Sequence, residues 1–202
     1  MQTIVSPQIH SEDEHAIVVL LSSDSVQQAA SIQNQLVQIF GDAVWLQQPS
    51  GLHSTLMEII CDADYKDMPR LEHFKQWYKN YNQTAKEILA DIPPFTIHFD
   101  ELFVSQRAII MKASNTRAYN DIRKKLLSKI SLPAGTKVPP EITHSTLARF
   151  NKTIQLEDVI RKVSNIRVDF IEPVTEFSLV KDLGPPSFNG TPLEVYPLKR
   201  SS

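Results

Sequence analysis

His53-Ser-Thr-Leu56 recurs 91 positions later as His144-Ser-Thr-Leu147, each time inside a run that reads as a β-strand. Successive side chains of a strand alternate faces. His53 and Thr55 therefore share one side, as do His144 and Thr146, while Ser54, Leu56, Ser145 and Leu147 take the other. Each stretch offers an imidazole and a hydroxyl side by side. The serines are expected to face the helix layer, where a structural hydrogen bond suits them better than catalysis.

Outward from these stretches, one order of elements appears twice. Ala16–Leu21 is a β-branched apolar run closed by Ser22, Ser23 and Asp24, which predicts a buried strand and then a capped helix running to Gly41. Val26, Ala29, Ala30, Ile32, Leu36, Val37 and Phe40 form its inner stripe, with the glutamines in water. A second helix is marked by Leu71, Phe74, Tyr78, Tyr81, Ala85 and Ile88. Phe95–Asp100 and Ala108–Lys112 follow as an antiparallel strand pair.

The order then restarts. A helix over Thr116–Ile130 has Ala118, Ile122, Leu126 and Ile130 on one face, and a strand covers Ile142–Phe150. A short helix over Gln155–Val163 buries Leu156, Val159, Ile160 and Val163. Strands are expected at about Arg167–Ile171, Thr175–Lys181 and Leu193–Leu198. With no flexible linker between the halves, the pattern predicts one two-lobed α+β domain over residues 1–202, with repeats at roughly 16–113 and 114–199.

Composition narrows the function classes. The chain has 202 residues, 42% of them hydrophobic, and carries 21 Lys+Arg against 23 Asp+Glu, so no positive field exists to hold a long nucleic-acid duplex. One cysteine, Cys61, forms neither an internal disulfide nor a cysteine-based zinc site. Glu12, Asp13 and Glu14 stand where a secretory leader needs basic residues, and Ala16–Leu21 is too short to span a bilayer. A monomer in the cytoplasm, away from the membrane, is the expectation.

A pseudo-twofold relation between the halves would set two imidazoles and two hydroxyls around one small volume. That set suits phosphodiester chemistry. One neutral histidine accepts the proton of an attacking water or hydroxyl, the other, protonated, supplies one to the departing oxygen, and the threonines hold non-bridging phosphate oxygens. The scheme requires no metal and no cofactor.

At these residues, and over about Ala16–Leu198, the chain resembles the 2H phosphoesterase superfamily, which includes the 2′-5′ RNA ligase-like proteins and the cyclic phosphodiesterases and is defined by two His-x-Thr/Ser motifs in a duplicated α+β fold. The resemblance implies two pseudo-symmetric lobes, each an antiparallel sheet with helices packed outside, with a cleft between them. It also implies His53 and His144 as acid and base, Thr55 and Thr146 as phosphate binders, and 2′,3′-cyclic phosphate or 2′-5′ bond chemistry on a small nucleotide or RNA-end substrate. The chain shows no added basic RNA-binding segment. A nucleotide-binding module that uses the same cleft without turnover is the alternative.

Further candidates lie around the motifs. His98 alternates against Ile97 and Phe99 and so joins Thr96 and Asp100 on the more polar face of its strand. Phe150, at an even offset from His144, and Tyr196 are candidates to stack on a base. Arg149, at an odd offset, points away from His144 in an unbroken strand, and a bulge would reverse that. Substrate choice is expected to depend on rim loops at Gln47–Leu52, Leu132–Glu141 and Leu183–Thr191.

Overall fold

A computed structural model describes residues 1–5, 14–60, 70–132, 142–181 and 191–199. Cys61 and most of the expected rim loops at Leu132–Glu141 and Leu183–Thr191 lie outside the described residues. The first half runs β1 (His15–Leu20), α1 (Ser23–Phe40), β2 (Val44–Leu46), β3 (His53–Ile60), α2 (Arg70–Ala90), β4 (Phe95–Val104) and β5 (Ala108–Ala113). The second runs α3 (Arg117–Leu127), β6 (His144–Phe150), α4 (Leu156–Val163), β7 (Phe170–Val174), β8 (Glu176–Lys181) and β9 (Thr191–Pro197).

The strands form two antiparallel sheets, ordered β3-β1-β8-β9 and β2-β6-β5-β4-β7. Leaving aside the edge strand β2, the orders match place for place: β6 stands where β3 does, β5 where β1 does, β4 where β8 does and β7 where β9 does. This is the α+β, two-sheet architecture expected from the sequence. The sheets nevertheless do not divide the chain into its sequence halves. Each half lends strands to the other sheet: β2, β4 and β5 of the first half lie in the second sheet, and β8 and β9 of the second half lie in the first. β5, expected to end the first repeat, takes the place in its sheet that β1 takes in the other.

The helices cross over as well. α1 lies against β2, β6 and β7 of the second sheet and α3 against β3 of the first, while α2 covers β3 and β9, and α4 covers β4. The start of α1 is pinned there by the buried Glu172 of β7, whose carboxylate accepts from Ser22 N (3.1 Å) and Ser22 Oγ (3.0 Å). Ser22 Oγ in turn caps Ser25 N, and Gly41, at φ 55°, closes the far end by donating to the Val37 carbonyl.

One apolar core fills the space between helices and sheets. It departs from the expected stripes at particular positions. Val37, Leu71 and Ile160 are exposed, and Ala118 yields its place to Tyr119, which is buried. Conversely Gln33 and Arg123, polar residues that periodicity assigns to water, are inside. The strand expected at Arg167–Ile171 forms later, over Phe170–Val174, and includes Pro173. A proline is accepted there because β7 is an edge strand whose free side needs no donor. β2, which periodicity does not mark, completes the other edge of the same sheet.

Candidate active site

Where the two sheets meet, β3 packs against β6. His53 and Thr55 on one strand, and His144 and Thr146 on the other, are half-buried, while Ser54, Leu56, Ser145 and Leu147 are fully buried on the core side. The alternation expected from sequence thus holds across both tetrapeptides. The expected structural bonds of the serines do not form: neither Ser54 Oγ nor Ser145 Oγ has a hydrogen-bond partner among the described residues.

Immediately after each threonine the alternation breaks. In the β1–β3 register Val18 faces Thr55 and Ile17 faces Met57, leaving Leu56 unpaired. In the β5–β6 register Ile110 faces Thr146 and Ile109 faces Ala148, leaving Leu147 unpaired. Each motif leucine is therefore the extra residue of a β-bulge, and the side chains that directly follow it change face. On β6 the change turns Arg149 to the side of His144 and Thr146, and drives Phe150, 0% exposed, into the core. Phe150 is thereby removed as a stacking residue and Arg149 is gained. On β3 the same displacement brings Glu58 to the side of His53 and Thr55.

Both bulges are held by side chains from the helix layer. The Leu147 carbonyl accepts from Gln33 Nε2 (2.9 Å) on α1 and from Gln47 N (2.9 Å), and the Leu56 carbonyl accepts from Arg123 Nε (2.9 Å) on α3. Arg123 Nη2 also donates to Thr55 O (2.8 Å) and Ile142 O (3.1 Å), and Tyr119 Oη donates to Ser54 O (2.8 Å). Backbone carbonyls that a straight strand would pair across the sheet are here claimed by buried donors.

The same amides reach His53. Gln33 Nε2 donates to Gln47 O (2.8 Å), Gln47 Nε2 to Gly51 O (3.1 Å), and His53 Nδ1 lies 2.7 Å from that Gly51 carbonyl. A carbonyl only accepts, so Nδ1 carries the proton and Nε2 is the basic nitrogen of the neutral ring. The turn Pro49–Gly51, part of the expected rim at Gln47–Leu52, is therefore a support for His53.

Burial pushes the His144 imidazole down to about 4, and the charges of His53, Arg123 and Arg149 add to the shift. Burial also lowers His53, opposed by the Gly51 hydrogen bond and reinforced by Arg149. Each ring thus feels Arg149, and His144 feels His53. Arg149 itself is lowered by burial, with Glu14 opposing and Arg107 reinforcing. The arrangement gathers two neutral imidazoles, two hydroxyls and the Arg149 guanidinium where β3 meets β6, a set suited to an anion.

The other sequence candidates lie elsewhere. His98 is on β4, two strands from β6, with Nε2 2.8 Å from Asp169 Oδ1, so it is engaged at the β4–β7 edge and not beside His144. Tyr196 is 0% exposed and donates its hydroxyl to Asn82 Oδ1, which leaves no ring face for a base. Among the described residues no group of three or more His, Cys, Asp or Glu side chains is placed to hold a metal ion, and no helix is long and apolar enough to cross a membrane. Sequence reasoning missed Gln33, Gln47, Tyr119, Arg123 and Glu58, for which only a bulge signal would have served.

No family model matches the sequence and no curated protein matches it. The likeness is in the structure. TT0787 of Thermus thermophilus is similar over 92% of this chain and 98% of its own, at 17% identity and a TM-score of 0.62. E. coli LigT in complex with 3′-AMP is similar over 94% of this chain and 100% of its own, at 18% identity and a TM-score of 0.59. The PDE domain of MHV ns2 is similar over 84% of this chain and 98% of its own, at 18% identity and a TM-score of 0.53. The fold that the two motifs led us to expect, that of the LigT-like phosphoesterases, is the fold of this chain.

Proposed function

We propose that the chain is a phosphodiesterase that opens 2′,3′-cyclic phosphates or 2′-5′ linkages of small nucleotides and RNA ends by two-histidine acid–base catalysis. The observation that carries this reading is the symmetric placing of His53 with Thr55 and His144 with Thr146 on strands that pack on one another, with Arg149 on the same side as His144 and its charge acting on both imidazoles. LigT, whose fold the chain shares, has been seen with 3′-AMP, ATP and NADP+, which agrees with a nucleotide ligand.

The phosphate sits against Thr55, Thr146 and Arg149, whose donors meet the charge that grows on the non-bridging oxygens. His53 is the base: with Nδ1–H tied to Gly51, Nε2 takes the proton from the attacking water. The new bond forms from that oxygen to phosphorus, and the bond from phosphorus to one ribose oxygen breaks. His144 gives its proton to that oxygen. The bound anion offsets Arg149 and favours the protonated His144 that this step needs.

The test is phosphorus NMR of 2′,3′-cyclic nucleotides, 2′-5′ dinucleotides and cyclic-phosphate RNA ends incubated with the protein. Conversion of a cyclic phosphate to a monoester supports the reading. Intact ligand throughout, together with saturable binding, favours the nucleotide-binding module instead.

A further inference from the structure

The cleft-side face of the second sheet continues past the motif strand. Reading across the registers, His144 is followed by Lys112 and Glu101, and Thr146 by Ile110 and Phe103, on β5 and β4 in turn. Cross-strand partners share a face, so all six point to the side that carries the imidazole. Ile110 is buried yet stands apart from the main core, as its place on the opposite face requires.

Phe103 is the anomaly of this row. It is 41% exposed near the hairpin end of β4, beyond the stretch that β7 pairs, and two strands from the threonine that the phosphodiesterase reading sets against the phosphate. Its neighbours are charged and held in place. Lys112 Nζ lies 5.8 Å from the ring centroid and 2.7 Å from Glu101 Oε2. An aromatic platform, an ammonium donor and a carboxylate acceptor thus form one cluster.

The geometry points to Phe103, with Lys112 and Glu101, as the subsite for the heterocyclic base of a nucleotide whose phosphate is held at Thr55, Thr146 and Arg149. The inference rests on the phosphodiesterase reading for the position of the phosphate. Adjacent strands are about 4.8 Å apart, so Phe103 stands about 10 Å from Thr146, within reach of a base joined to that phosphate through its ribose. A base has a flat π-face for the ring and an edge with both donors and acceptors for Glu101 and Lys112. A second phosphate matches this set less well: it has no π-face for the ring, and Glu101 repels it. The cluster also fills the role for which Phe150 and Tyr196 are too deeply buried.

Calorimetric titration of the full chain with adenosine 3′-monophosphate, ribose 3-phosphate and inorganic phosphate tests the assignment. Wild type is expected to bind the nucleotide more tightly than ribose 3-phosphate. Phe103→Ala should weaken the nucleotide about 5- to 100-fold and leave inorganic phosphate unchanged, while Phe103→Trp keeps nucleotide affinity. Because the ring is exposed, the melting temperature of Phe103→Ala should match wild type. Equal affinity of wild type for nucleotide and ribose 3-phosphate, or no effect of Phe103→Ala on the nucleotide, overturns the subsite and leaves the phosphoesterase reading standing. Failure of wild type to bind any of the three overturns both.

Discussion

Arg149 and Glu58 stand at equivalent places in the two motif strands, five residues beyond His144 and His53, and matching bulges turn both toward the cleft. The scaffold is symmetric there and the charge is not. The cationic pole belongs to the second motif, where Arg149 acts on both imidazoles. That asymmetry distinguishes the two halves of an otherwise twofold site.

Arg149 is accordingly expected to contribute to the transition state. Arg149→Met should lower kcat/KM by about 10²–10³-fold, in the range of a lost donor to a developing oxyanion, with Arg149→Lys intermediate. Steady-state kinetics of the two variants checks this, and wild-type rates in Arg149→Met would remove Arg149 from the site.

Gln33 should act on Arg149 from a distance. Gln33→Leu deprives the Leu147 carbonyl of one buried donor and Gln47 of its support, with an expected loss of about 1–3 kcal/mol of stability in chemical denaturation. If the amide holds the bulge in position, the variant should also weaken phosphate binding, which a purely stabilising residue would not do once the protein is kept folded.

Arg123→Met removes the donors to the Leu56 and Thr55 carbonyls of the first motif and to the Ile142 carbonyl ahead of the second. The expected destabilisation is roughly 2–4 kcal/mol, because buried acceptors are left unpaired. Urea unfolding measures it, and a change below about 0.5 kcal/mol, the scatter of a neutral surface substitution, contradicts the role.

The two lowered imidazoles set the pH dependence. Catalysis needs one ring neutral and one charged, so kcat/KM should be bell-shaped, and because both free-protein values lie below 6.5 the optimum falls on the acid side of 6.5. The near-neutral optimum expected for unshifted histidines does not apply. A bound anion raises both rings, so the kcat profile should lie at higher pH than that of kcat/KM. Stability follows the same sign: the unfolded state binds the proton of His144 more readily, so stability is full above pH 6.5 and falls as pH drops toward 4. Across that window the melting temperature of wild type should fall relative to that of His144→Gln as the pH is lowered.

The legible part of the fold is whatever obeys a period. Helical stripes such as Ala29, Ile32, Leu36 and Phe40, and the alternation of His53 with Thr55, are local properties that any register preserves. The bulges are not local. They depend on Gln33 and Arg123, which lie 114 and 67 residues from the carbonyls they hold, so parity counting sends Arg149 outward and Phe150 into the cleft. The exchange of β4 and β8 between sheets is hidden for the same reason: a strand's own sequence specifies its faces and not its neighbours.

The central claim, two-histidine phosphodiester chemistry, is tested most directly by phosphorus NMR of a 2′,3′-cyclic nucleotide with wild type, His53→Ala and His144→Ala in chelator-containing buffer. The account predicts conversion to a single monoester by wild type despite the chelator, and a rate lower by about 10²–10⁴-fold in each variant. Unchanged rates in either variant, or a wild-type rate that vanishes in chelator and returns with added divalent metal, would contradict it.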